Sequence, residues 1–145
     1  MTRYPDGPAD SPGFLLWHAT LRWQRAVTSA LAPLDLTHVQ FVLLACTWWL
    51  DEHGHAPNQQ AISTQAGTDI KMTSQVLRTL EAKGLLVRRI DPADSRARIV
   101  SPTARGIDLA RRAVTAVETV DADYFSSVDT SRLVATLSRL AQPPR

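Results

Sequence analysis

The chain has 145 residues, 44% of them apolar, and a net charge of only +2. That length suits one domain, and the apolar content is enough for a core, which excludes an intrinsically disordered chain. The single cysteine, Cys46, excludes an internal disulfide, and no apolar run approaches the length of a membrane span.

Residues 1–12 are rich in Pro, Gly and Asp and read as a disordered tail. They lack the apolar stretch of a signal peptide, so a cytoplasmic protein is expected. Phe14 to Leu31 then reads as a helix with two apolar stripes, Leu16/Trp23/Val27/Ala30 and Phe14/Trp17/Leu21. An apolar girdle this wide predicts contacts on two sides, the chain's own core and a second subunit. Pro33 ends it.

A complete helix start follows. Thr37 and Gln40 fit a capping box, with Leu36 and Phe41 placed as its hydrophobic staple and His38 as the first helical residue. The helix runs to about Asp51, is apolar nearly all round, and should be the central buried one. Gly54 closes it. Asn58 caps a short helix, QQAISTQA, that ends at Gly67. With Gly67-Thr68 as a tight turn, the next helix completes a helix-turn-helix.

That next helix is capped by Thr68 or Asp69 and stopped by Gly84. Its period of 3.6 places Thr73, Val76, Leu77 and Leu80 on one face and Lys71, Ser74, Gln75 and Arg78 on another. The second face is short, polar and rich in donors, suited to phosphates and to base edges in a major groove. Leu85 to Ile90 and Ala97 to Ser101 follow as strands, joined by DPADSR as a turn. Arg96 is expected at the tip of this hairpin, Arg98 just behind it, and Asp94 as a brace. Such a cationic finger suits a narrow minor groove. Helix-turn-helix plus hairpin makes a winged helix.

Charge agrees with this placement. Gly67 to Gly106 holds eight basic and four acidic residues, +4, which leaves eight basic and ten acidic elsewhere, −2. A split this local points to an anionic partner, nucleic acid above all. Thr103 caps a long helix to about Val128, with a seam Ile107, Ala110, Val114, Val117, Asp121, Tyr124, Val128 at steps of three and four. A last helix, Thr130 to Ala141, carries Leu133, Leu137 and Leu140 on one side. Nothing later in the chain covers the seam, which argues for a partner.

The run Leu80-Glu81-Ala82-Lys83-Gly84-Leu85, the pair Asp94-Ser95-Arg96, and Pro102-Thr103-Ala104-Arg105-Gly106 together resemble the MarR family of winged-helix transcription regulators. Pro102 stands where that family usually has Leu, and Pro is tolerated at a helix start. The resemblance implies a mainly α fold with a small β-hairpin wing. It comprises a winged helix-turn-helix at about 36–102, within a single domain over 13–145, and dimerisation helices at about 13–32 and 103–141. It also implies a homodimeric repressor on a palindromic operator in double-stranded DNA, with recognition helices about 34 Å apart. The expected DNA contacts are Lys71, Thr73, Ser74, Gln75, Arg78, Asp94, Arg96 and Arg98.

Proteins of this kind commonly bind aromatic acids or phenols. All four tryptophans lie in the first two long helices. Trp17, His18, Arg22 and Trp48 are therefore the expected pocket for such an effector, against ordinary burial as core or interface residues. Cys46 offers a redox-sensing alternative, but it sits mid-helix without a fixed charge beside it in sequence, as a small buried hydrophobe would. Asp51-Glu52-His53-Gly54-His55 mixes carboxylates and imidazoles, yet its spacing is incomplete for a metal and it reads as a polar helix end. No cofactor is expected. The chain carries no phosphate loop, nucleophile elbow or His–Glu helix motif, which argues against an enzyme. A winged helix used for protein contact is the rival reading, and it would call for exposed aromatics or Leu on the outer helix face.

Overall fold

The structure is a computed structural model and describes residues 3–54 and 57–143. Among these residues the α-helices are α1 (Pro12–Leu31), α2 (His38–Glu52), α3 (Gln59–Ala66), α4 (Ile70–Ala82), α5 (Ala104–Tyr124) and α6 (Thr130–Ala141). The strands β1 (Leu86–Asp91) and β2 (Asp94–Pro102) stand between α4 and α5 as an antiparallel hairpin. The architecture is the expected one: mainly helical, with one hairpin.

Local signals set most helix starts. Ser11 caps α1, so that helix begins at Pro12 rather than Phe14, with Pro at its first position where no N–H is needed. A 3-10 turn, Pro8–Asp10, lies within the segment read as tail. The capping box of α2 forms as expected: Thr37 Oγ1 accepts the Gln40 N–H at 3.2 Å, and Gln40 Oε1 accepts the Thr37 N–H at 3.1 Å. Asn58 caps α3 and Thr103 caps α5 through their side-chain oxygens.

The core sits around α2, which packs against α1, α3, α4, α5 and β2. Leu43 and Leu44 of α2, Ile62 of α3, and Leu77 and Leu80 of α4 are fully buried. Thr47 is buried with them and returns its hydroxyl to the Leu43 carbonyl at 2.7 Å. The wing is tied to this core at its base. Val100 donates its N–H to the Pro57 carbonyl at 2.7 Å, and Asn58 pairs with Ile99.

Two expectations are corrected. The hairpin turn is only Pro92 and Ala93, not the six-residue DPADSR; β1 has the expected length but lies one residue later, and β2 is longer than expected. Asp91 and Asp94 are cross-strand partners there, and the Asp91 carboxylate accepts the Ala93 N–H at 2.9 Å, tightening the turn. In addition, α5 ends at Tyr124, before Val128, and part of its seam is covered within the same chain. Asp121 accepts the Trp23 indole N–H at 2.8 Å, and the Tyr124 hydroxyl donates to the Ala19 carbonyl at 2.9 Å, both on α1. Among the described residues α6 has none buried, and no single helix is long and apolar enough to cross a membrane.

Candidate nucleic-acid interface

The helix-turn-helix closes through hydroxyls. Gly67 adopts φ 71, a left-handed turn open to glycine, and its N–H returns to Ser63 O at 2.9 Å. The Ser63 hydroxyl donates to Thr68 O at 2.5 Å. Asp69, not Thr68, is the cap of α4, accepting the Met72 N–H at 2.7 Å. Thr68 instead meets the hydroxyl of Thr73 at 2.7 Å, and Thr73 donates onward to Asp69 O at 2.8 Å.

Thr73 is thereby removed from the expected DNA contacts. It is fully buried, on the inward face with Leu77 and Leu80, and its hydroxyl is consumed inside the turn. Lys71, Gln75 and Arg78 are exposed and Ser74 is half-exposed, so the remaining members of that group share one outward face. Ile70 and Met72 are exposed at the start of the same helix. Sequence reading treated this face as wholly polar and missed them. Apolar side chains there suit the methyl group of thymine.

The wing is a bulged hairpin. Ile90 pairs with Arg98 and Asp91 with Asp94, so Ser95, Arg96 and Ala97 form extra length in β2. Arg96 therefore sits on the bulge behind the turn, not at the tip. Asp94 does brace it, but through the backbone: its carboxylate accepts the Arg96 N–H at 3.0 Å. Arg96 and Arg98 are both exposed. Arg88 and Arg89, adjacent in sequence, separate. Arg88 turns back to α4, where Glu81 accepts its backbone N–H at 3.2 Å and faces its guanidinium at 3.4 Å. Arg89 stays exposed, paired opposite Ile99 on the other face of the hairpin from Arg98. Sequence reading counted both arginines without separating them; the alternation of strand side chains was the available signal.

The residues expected to form an effector pocket do not meet in one cavity. Trp17 is 62% exposed, His18 packs its ring on Phe14, and Arg22 points to solvent. Trp48 packs against the core with the Arg111 guanidinium 6.0 Å from its ring centre. These positions reflect helix phase: 17, 18 and 22 fall on a different side of α1 from 16, 19, 20 and 23. That second side lines a groove of about 580 Å³ between α1, α5 and α6, whose only charged lining residue is Asp121. His38 lies beside this groove, its ring 5.1 Å from that of Trp23. Burial lowers the His38 pKa, and the nearby Asp121 charge partly offsets this.

Cys46 is half-buried, and burial pushes its thiol pKa up, away from the thiolate that a redox sensor needs. His53 stacks on Trp49 and bonds to its carbonyl at 2.7 Å, as a helix-end residue. His55 lies outside the described residues. Among those described, no group of three or more His, Cys, Asp or Glu is placed to hold a metal.

Known proteins share this arrangement. A MarR family profile matches residues 36–97, the winged helix itself. The uncharacterized HTH-type transcriptional regulator YdcH of Bacillus subtilis is 45% identical over 121 residues, covering 83% of this chain and 82% of its own. CouR of Rhodococcus jostii RHA1, solved bound to p-coumaroyl-CoA, superposes with TM-score 0.83 at 27% identity, covering 96% of this chain and 97% of its own. The transcriptional repressor CouR bound to a 23-mer DNA duplex superposes with TM-score 0.79 at 28% identity, covering 97% and 96%. With an outward recognition face, an arginine-bearing wing and this degree of likeness, the chain belongs to the MarR family of DNA-binding winged-helix transcription regulators.

Proposed function

We propose that the chain acts in the cytoplasm as a homodimeric repressor that reads a palindromic operator and is released by a small aromatic ligand. The observation that carries this is a contrast between two sets of elements. One set, α4 and the wing, presents Lys71, Ser74, Gln75 and Arg78 with Arg89, Arg96 and Arg98. The other presents uncovered apolar side chains: Phe14, Leu15, Leu16 and Trp17 of α1, and Val134, Leu137 and Leu140 of α6. An apolar surface of this kind marks an interface, and the occupant that fits is a second copy, whose α1 and α6 offer the same faces. Two-fold pairing through 13–32 and 103–141 leaves the winged helices of 36–102 free to enter successive major grooves about 34 Å apart.

The groove between α1, α5 and α6 shares Leu16, Val134 and Leu137 with that apolar surface, and the part of it that a second copy leaves open supports the ligand reading, as does the ligand-bound state of CouR. Its volume falls in the ordinary range for ligand sites. Asp121 is its one charge, so a neutral phenol fits better than the carboxylate of an aromatic acid.

One set of measurements tests the reading. Light scattering on the eluted protein gives its mass, and gel shift with the DNA beside its own gene gives its affinity. A dimer that binds specifically, and that phenol but not benzoate releases with a change in tryptophan fluorescence, supports each part. A monomer, or a complex indifferent to both compounds, removes the corresponding part. A protein-contact role for the winged helix is less well supported, since the outer face is dominated by Lys, Gln and Arg.

A further inference from the structure

The C-terminal end of α4 is held from two sides. On one side, Lys83 Nζ donates to the Asp35 carbonyl at 2.5 Å and to Gln40 Oε1 at 3.2 Å, and lies 3.5 Å from the Asp35 carboxylate. Gln40 Oε1 is the same atom that closes the capping box of α2. Asp35 has φ 55, a left-handed conformation rare for any residue but glycine, and it is the one such non-glycine among the described residues. On the other side, Arg105 Nη1 donates to Lys83 O at 3.0 Å and the Thr103 hydroxyl to Gly84 O at 2.8 Å. The Thr103 N–H donates to Leu85 O at 3.0 Å.

Lys83 is thus the bond between the DNA-reading helix and the turn joining α1 to α2, while the head of α5 holds the adjoining backbone. Its side chain is only 27% exposed. An ammonium has three donors, and here two make hydrogen bonds while a carboxylate takes the field of the whole group. Lys71, at the DNA-facing start of the helix, is about 18 Å away along the axis at the standard helical rise. Lys83 is a cation in a cationic stretch, yet it is turned inward and engaged.

We infer that Lys83 is a positioning residue for DNA recognition: it fixes the angle of α4 against the α1–α2 turn without touching DNA itself. In the homodimer proposed above, on which the spacing argument rests, that angle also sets the separation of the two recognition helices. Loosening it spreads the complex over several geometries and lowers affinity for the correct one.

The test compares wild type, Lys83→Met and Lys83→Arg on a duplex that the wild-type protein selects from random sequence. Affinity is measured across a salt series, on versions whose half-sites are moved apart or together by single base pairs, and on one isolated half-site. Expected for Lys83→Met are a roughly tenfold loss on the best spacing, a flatter dependence on spacing, and an unchanged salt slope, with Lys83→Arg recovering part of the loss. A salt slope reduced by about one per protomer, with spacing preference intact, would mean a phosphate contact and overturn the inference. So would a lowered melting temperature with unchanged affinity per folded molecule. If wild type itself shows no spacing preference, the dimer reading fails, and the isolated half-site decides Lys83. A loss there at constant salt slope upholds positioning; affinity equal to wild type refutes it.

Discussion

Arg96 and Arg89 occupy different parts of the wing, and single substitutions should tell them apart. Arg96 stands on the bulge with its backbone N–H fixed by Asp94, so its guanidinium starts from an ordered root. Arg96→Ala should weaken operator binding by about tenfold or more, of order 1–2 kcal/mol, with the helical circular dichroism unchanged. Arg89→Ala should cost less, because Arg89 extends from the regular part of β1, opposite Ile99. Equal effects, or none, would place the DNA elsewhere on the hairpin. His38 makes a separate prediction. Burial favours its neutral form in the folded chain, so its titration midpoint lies below 6.5. The unfolded chain takes up the proton first as pH falls, and folded stability therefore declines below about 6.5. Asp121→Asn keeps an acceptor for Trp23 but removes the charge that opposes burial, so the midpoint should fall further. Imidazole proton resonances followed against pH in both proteins check the direction.

At the level of elements, what could be read in advance was what is decided within four residues. The Thr37–Gln40 box, the Asn58 cap, and the Gly67 and Gly84 stops are short-range chemistry, and each is where the sequence placed it. Thr73 falls by helix phase between Leu77 and Leu80, on the inward face where the period places it, so expecting it among the DNA contacts ran against that period. Burial and the hydroxyl of Thr68 hold it there, and both depend on α3. The hairpin turn was overestimated because Asp91 and Asp94 look like loop residues; their carboxylates bond backbone amides two residues on and shorten the loop. The groove beside Asp121 depends on where α1, α5 and α6 cross, which no local pattern encodes. Gly106 joins local and distant constraints. A Cβ at that position would lie 2.0 Å from the Leu85 carbonyl oxygen, so only glycine lets α5 start this close to the strand. Gly106→Ala should therefore shift the head of α5 off β1, lowering the melting temperature by several degrees and DNA affinity with it. Thermal unfolding of the variant with wild-type stability would mean that the contact relaxes freely.

For the molecule as a whole, the exposed cations of α4 and the wing and the exposed apolar side chains of α1 and α6 lie on different elements, and each set brings a different dependence. At the proposed DNA-binding face, Lys71, Arg78, Arg89, Arg96 and Arg98 are exposed and free to displace counterions, twice over in the proposed homodimer. Affinity should fall by about 10³-fold or more between about 50 and 200 mM salt, the response expected of six or more phosphate contacts. A flat response, measured by anisotropy of a labelled duplex, would contradict the interface. In the apolar set, α6 has a hydrophobic side and no buried residue of its own. A helix of 12 residues in water is too short to hold itself together. In the homodimer proposed above its order is supplied by association, and folding and pairing of that segment become one equilibrium governed by mass action. Dilution should unwind α6 and release the operator together, so the regulator's own abundance in the cell becomes an input to the switch.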